Sequence, residues 1–184
     1  TLLIMEEVEG RSGFSGAEDD LARVLAALHQ PVDSPYGFDT DFSFGKVAIR
    51  NDETPSWVAF WRDNRLLNNL PDLPSPLARR VERLAARLDE IIPDDPPPAL
   101  LHGDLWSGNV MTAGGRVTAL IDPACYYGDR EVDLAMAELF GRLDDRFYSR
   151  YGALDPGFET RRAVYSLWPA LVHFRLFGSG YRAM

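Results

Sequence analysis

Leu101-His102-Gly103-Asp104-Leu105-Trp106-Ser107-Gly108-Asn109-Val110, answered further on by Ile121-Asp122-Pro123-Ala124, is the stretch on which the reading of this 184-residue chain turns. Asn109 follows Asp104 by five residues, and Asp122 follows Asn109 by thirteen. Moving a phosphoryl group from a metal-bound nucleotide requires an acceptor for the proton of the attacked hydroxyl, and oxygen ligands that hold Mg²⁺ over the departing phosphates. An aspartate, an asparagine and a second aspartate in this order supply both. Singly, each has a plainer reading, an Asp before a strand as a turn or cap and an Asn as a loop residue. Their coincidence at these spacings is what points to chemistry.

Outward from this stretch, Ala99-Leu100-Leu101 is a short apolar run leading into His102. Val110-Met111-Thr112, the turn Ala113-Gly114-Gly115 and Val117-Thr118-Ala119-Leu120-Ile121 read as a β-hairpin. Such a hairpin sets Asn109 just before its first strand and Asp122 just after its second, so that both metal ligands meet at one end of a rigid element. One Asn and one Asp suffice for Mg²⁺, whose octahedron is completed by waters and phosphates, and Asp104 is then available as the base. His102 is expected to tie the loop backbone by hydrogen bonding and takes no chemical step. The layout is that of a kinase catalytic loop, and the chain reads as part of a small-molecule kinase.

The same residues, with Tyr126-Tyr127-Gly128, Glu131-Val132-Asp133-Leu134-Ala135, Phe140-Gly141 and the closing Phe177-Gly178-Ser179-Gly180-Tyr181-Arg182, closely resemble the fructosamine kinases. These belong to the aminoglycoside-phosphotransferase-like branch of the protein-kinase-like fold. The resemblance implies an α+β fold for the chain, a protein-kinase-like C-terminal lobe that is mainly helical around a small catalytic hairpin. Residues 1–10 would be the last strand of an N-terminal lobe and the hinge, and residues 11–184 the C-terminal lobe, with an insert at about 31–70. No glycine-rich loop or strand lysine precedes Asp104, so the N-terminal lobe is expected to be missing from the chain, and the fragment alone to be inactive. Met5 would then stand at the back of an adenine pocket, with Glu6 and Val8 offering backbone groups to the base. Without the resemblance, Glu6-Glu7 is a solvated acidic pair.

Composition narrows the function classes. A net charge of −9 argues against nucleic acid, which needs a basic footprint, and leaves Mg²⁺ to supply the positive charge that holds ATP. One cysteine, Cys125, excludes an internal disulfide, and no signal-like or long apolar stretch is present, which suggests a cytoplasmic protein and no membrane partner. Oligomeric state is not legible.

After the hinge the pattern is mostly helical. Leu21, Val24, Leu25 and Leu28 mark one helix over 17–30, and Leu77, Val81, Leu84, Leu88 and Ile91 mark another, opened by Ser75-Pro76 and ended by Pro93. Residues 31–53 show no sustained period and are expected to lie over the lobe as an insertion. Thr54-Pro55 starts a further helix carrying Trp57, Phe60 and Trp61, and residues 157–177 form a last helix interrupted by Pro169. Sugars are held by aromatic faces and a few fixed polar groups, so Trp106, between base and metal ligand, is expected to touch the acceptor. Trp57 and Trp61, four residues apart, fit either core packing or a substrate wall, and the resemblance favours Trp57 for the wall. It also implies acceptor-side roles for His173, Gly180 and Tyr181. Asp133 is read as a buried brace for the catalytic loop or a helix cap rather than a second base.

The function implied is transfer of the γ-phosphoryl group of ATP, with Mg²⁺, to a hydroxyl of a ketosamine, on carbon three by the resemblance. The alternatives are an aminoglycoside or amino-alcohol kinase of the same fold, and a non-catalytic kinase-like binding module.

Overall fold

The computed structural model describes residues 7–139 and 141–178. The expected strand at residues 2–5, Met5, Glu6, Gly180 and Tyr181 lie outside the described residues.

The hairpin forms as its pattern requires. β5 (Val110–Ala113) and β6 (Arg116–Leu120) pair antiparallel around a turn at residues 114–115. The short strand β1 (Arg11–Ser12) adds to the free edge of β5, making a three-stranded sheet in the order β1-β5-β6. β4 (Ala99–Leu101), the apolar run before His102, pairs antiparallel with β7 (Tyr126–Gly128). The loop that leaves β4 and the segment that runs from Asp122 into β7 thus lie side by side.

Helix α1 (Glu18–Leu28) buries Leu21, Ala22 and Leu25. The next segment departs from expectation. Residues 31–53 contain a hairpin, β2 (Phe42–Phe44) with β3 (Val47–Ile49), whose three-residue strands are too short to show a period. The segment is also joined to the edge of β7, where Gly37 and Tyr127 exchange backbone hydrogen bonds of 3.0 and 2.9 Å. It therefore extends a sheet as well as covering the lobe.

Helix α2 (Trp57–Phe60) is capped by Ser56, whose hydroxyl accepts from Ala59 N at 3.0 Å. The chain then widens into a π-helical turn (Trp61–Leu66) and tightens into a 3₁₀ turn (Leu67–Asp72). The widened turn lets Trp57, Phe60, Trp61, Arg65 and Leu66 all face inward. Helix α3 (Ser75–Ala85) stops short of the expected end. A 3₁₀ turn (Leu88–Glu90) replaces the last helical turn, so that Ile92 joins Leu88 in the buried core while Ile91 packs half-buried against it.

Helices α4 (Glu131–Leu139), α5 (Asp145–Tyr151) and α6 (Phe158–Phe177) complete the chain. Two apolar clusters result. One gathers Trp57, Phe60, Trp61, Val81, Leu88, Tyr126, Tyr165 and Trp168, and the other Phe14, Leu21, Leu25, Leu105, Val110, Phe147 and Tyr151. α4 runs between them, giving Val132 and Ala135 to the first and Leu134 and Ala137 to the second. Residues 131–137 of α4 are all buried, so α4 can carry a rigidly held side chain to the loop after β4. Among the described residues no helix is long and apolar enough to cross a membrane.

Candidate active site

The loop after β4 is held by one carboxylate. Asp133, fully buried on α4, accepts hydrogen bonds from His102 N at 2.7 Å and Gly103 N at 3.0 Å. The oxygen that accepts from His102 N also meets His29 Nε2 at 3.1 Å, and His29 Nδ1 lies 2.7 Å from the Tyr151 hydroxyl. Helices α5, α1 and α4 are thereby tied in series to the backbone before Asp104. Burial alone pushes the Asp133 carboxyl up, but the His29 hydrogen bond and charge, with the His102 backbone N–H, hold it below the ordinary aspartate value. Gly103 is required here. Its φ is +78°, and a Cβ would stand 2.1 Å from the Ala124 carbonyl oxygen.

His102 ties the loop to the hairpin. Its Nε2 lies 2.9 Å from the Ile121 carbonyl and its Nδ1 3.3 Å from Asp104 N. A carbonyl only accepts and a backbone N–H only donates, so the neutral Nε2–H tautomer satisfies both. The His102 carbonyl in turn accepts from Ala124 N at 2.8 Å. The turn that carries Asp122 is thus fastened on both sides to one residue of the catalytic loop. Asp122 itself is exposed and adopts a φ of +52°, a left-handed conformation that Asp tolerates better than most side chains.

Asp104 is half-buried. Asn109 Nδ2 donates both to its carboxylate, at 3.0 Å, and to its backbone carbonyl, at 2.8 Å. With its amide nitrogen so engaged, the Asn109 amide keeps its oxygen for another partner. Ile121 N donates to the Asn109 carbonyl at 2.9 Å, which places Asn109 and Asp122 at the same end of the hairpin. An amide oxygen and an exposed carboxylate are hard donors of the kind Mg²⁺ takes, so the residues present fit that ion. Burial pushes the Asp104 carboxyl up, against the lowering effect of its Asn109 hydrogen bond.

Asp104 also lines a cavity of about 430 Å³, with Trp106, Phe44, Met136, Trp168, Val172, His173 and Leu176 among its walls. Trp106 is 39% exposed, and its indole lies where a side chain on Gly108 would have to go, 2.3 Å from a Cβ built there. The glycine between Trp106 and Asn109 is what allows the ring to fold across the loop. His173 donates from Nδ1 to the Pro169 carbonyl at 2.8 Å. Trp57 is corrected. It is fully buried, its Nε1 donates to the Tyr165 hydroxyl at 3.0 Å, and it does not line the cavity, so the core-packing alternative holds. Val8 is half-buried in irregular backbone before β1.

Sequence reasoning passed over His29 and Tyr151, which brace the loop from behind. A histidine closing an apolar helix was the available signal, but its partner is 104 residues away. It also missed Arg65, wholly buried with its guanidinium 4.2 Å from the centroid of Tyr126, 4.7 Å from Phe60 and 4.9 Å from Trp168. Arg65 donates to the Arg50 carbonyl and to Asn51 Oδ1, and burial depresses its pKa.

A family model described as fructosamine kinase matches residues 1–184. The chain is 39% identical over 196 residues to a probable ketoamine kinase of Synechocystis sp., covering 98% of this chain and 63% of that protein. The crystal structure of a fructosamine-3-kinase candidate from Thermobifida fusca YX-ER1 matches with a TM-score of 0.87 at 35% identity, over 97% of this chain and 65% of that one. An aminoglycoside phosphotransferase, APH(4)-Ia, matches with a TM-score of 0.63 at 18% identity, over 93% of this chain and 63% of that one, and shows a shared kinase-like fold. The chain spans less than two thirds of the length of each of these proteins.

Proposed function

The chain belongs to the fructosamine kinase family, and from that premise we propose that it carries the catalytic loop of an enzyme moving the γ-phosphoryl group of ATP to a ketosamine hydroxyl. The observation that carries this reading is the placement of Asp104. Its carboxylate lines an apolar cavity of substrate size while the amide of Asn109 orients it from the hairpin side. Asp104 accepts the proton of the attacked hydroxyl, on carbon three of the sugar as the family resemblance implies. Burial raises its pKa, which makes it a better base than a solvated aspartate.

Asn109 Oδ1 and the Asp122 carboxylate would hold Mg²⁺, which when bound neutralises charge on the phosphates. The chain's own contribution is orientation. Asp133 and His102 fix the loop backbone, Asn109 aims the Asp104 carboxylate, and Trp106 offers an aromatic face to the sugar. Trp106 and His173 are the acceptor-side residues we retain, and Val8 the one described residue we retain for the adenine side. The single half-buried cysteine fits a reducing, cytoplasmic setting.

In the full-length enzyme, Asp104→Asn keeps shape and hydrogen bonding but cannot take up a proton, so kcat should fall by roughly 10²- to 10⁴-fold while ATP affinity is unchanged. Near-normal turnover would remove Asp104 from the role of base.

A further inference from the structure

Arg65, in the π-helical turn, is not what packing alone would place there. Its side chain is wholly buried, and both oxygens it donates to, the Arg50 carbonyl and Asn51 Oδ1, are neutral. Taking a cation out of water with no carboxylate to face it is costly, and an apolar side chain such as Met fills space without that cost. Stacking on the rings of Tyr126, Phe60 and Trp168 offsets part of it.

The contacts of Arg65 belong to parts of the chain that converge on the cavity beside Asp104. Trp168, on α6, is a wall of that cavity, whereas Arg65 and Asn51 are not among the described residues that line it. Asn51 closes the base of the β2–β3 hairpin. Its Nδ2 donates to the Thr40 carbonyl at 2.9 Å, and its backbone N donates to the Asp41 carboxylate at 2.8 Å. That hairpin carries Phe44 to the cavity, where its ring centroid stands 6.3 Å from that of Trp168. A guanidinium joins the two walls because its donors lie in one plane, which leaves its faces for rings.

Resting on the ketosamine reading above, we propose that Arg65 is a positioning residue for the phosphoryl acceptor, setting Phe44 of the hairpin against Trp168 of α6 and so fixing the width of the acceptor cavity. The catalytic loop is fastened separately by Asp133 and His102, and the Asp104 carboxylate is oriented by Asn109. Loss of Arg65 therefore changes how well the acceptor is held more than the rate of the chemical step.

Arg65→Lys keeps a charge and can reach one of the two oxygens, but it gives up the stacking plane and the fork that spans both. In the full-length enzyme it should raise KM for the deoxyfructosyl adduct of butylamine roughly 10-fold, a size usual for groups coupled by direct contact, with KM for ATP and kcat little changed. Asn51→Ala, a milder change, should move acceptor KM the same way by a smaller factor, and decides alone if Arg65→Lys does not fold. Trp57→Phe disturbs the same aromatic cluster without touching either wall and should leave acceptor KM where it is. Acceptor KM unmoved in the folded Arg65 or Asn51 variants, equal rises for acceptor and ATP, or a rise in Trp57→Phe that matches Arg65→Lys would each overturn the inference and leave the ketosamine reading standing. An unaltered enzyme that turns over no ketosamine removes that reading and the inference with it.

Discussion

Asp133 and Asp129 stand four residues apart around the start of α4, both almost wholly buried, and their surroundings treat the negative charge in opposite ways. Asp133 faces the catalytic loop and collects donors from His102 N, Gly103 N and His29, which hold its carboxyl below the ordinary value despite burial. Asp129 faces the aromatic cluster. Among the described residues it accepts from Glu131 N and the Tyr165 hydroxyl, and burial, with the Glu131 charge beside it, pushes it up to about 6. One half of the molecule is thus organised around a stabilised charge. The other is held by packed rings, and its carboxylate keeps a proton into mildly acidic solution.

Breaking the Asp133 side should cost most. Asp133→Asn leaves one acceptor oxygen where two served, and removes the charge facing His29, so unfolding stability at pH 7 should drop by about 3 kcal/mol or more. Urea titration would measure it, and a loss under about 1 kcal/mol would mean that the loop is held elsewhere. The folded pKa of Asp133 is depressed, so its contribution is complete above pH 3.8 and lost as pH falls further.

Asp129 should show the opposite slope in a separate window. Its folded pKa is raised from 3.8 to about 6, so the folded state binds the extra proton, and stability from this group is lost as pH rises between those values. The loss should amount to about 3 kcal/mol, at roughly 1.4 kcal/mol per unit. Asp129→Asn should flatten that slope and leave the loss below pH 4 intact. An unchanged slope between pH 4 and 6 would contradict the contrast drawn between the two aspartates.

Smaller effects sharpen the boundary between the halves. Trp57→Phe removes the hydrogen bond to Tyr165 and part of a buried ring, and should cost about 1 to 2 kcal/mol without altering acceptor KM. A selective rise in acceptor KM would return Trp57 to the substrate wall. Trp106→Ala should change stability by no more than about 0.5 kcal/mol, because the ring is partly exposed, while raising acceptor KM well above any change for ATP. Equal rises for both substrates would indicate collapse of the loop.

The catalytic half was legible because its rules are local. A two-glycine turn between alternating strands specifies the hairpin, and the hairpin brings Asn109 and Asp122 to one end whatever surrounds it. The resemblance placed an acidic residue at Asp133 and left it as a brace for the loop or a helix cap; in the structure its carboxylate meets His102 N and Gly103 N. The aromatic half was not legible. β2 and β3 are too short for a period, α2 passes through a widened turn, and the role of Trp57 depended on which neighbours arrived from α6.

By itself the sequence determined the motif-bearing loop, the hairpin behind it and the main helices, because spacing, turn residues and apolar periodicity act over a few residues at a time, while the kinase-like fold followed from the family resemblance. Only the tertiary structure decided that His29 reaches Asp133, that Trp57 is core while Trp168 and Phe44 are wall, and that Arg65 is buried among three rings. Each of these joins residues far apart in the chain. Such contacts depend on packing and desolvation among several elements at once, and no single stretch of sequence carries that information.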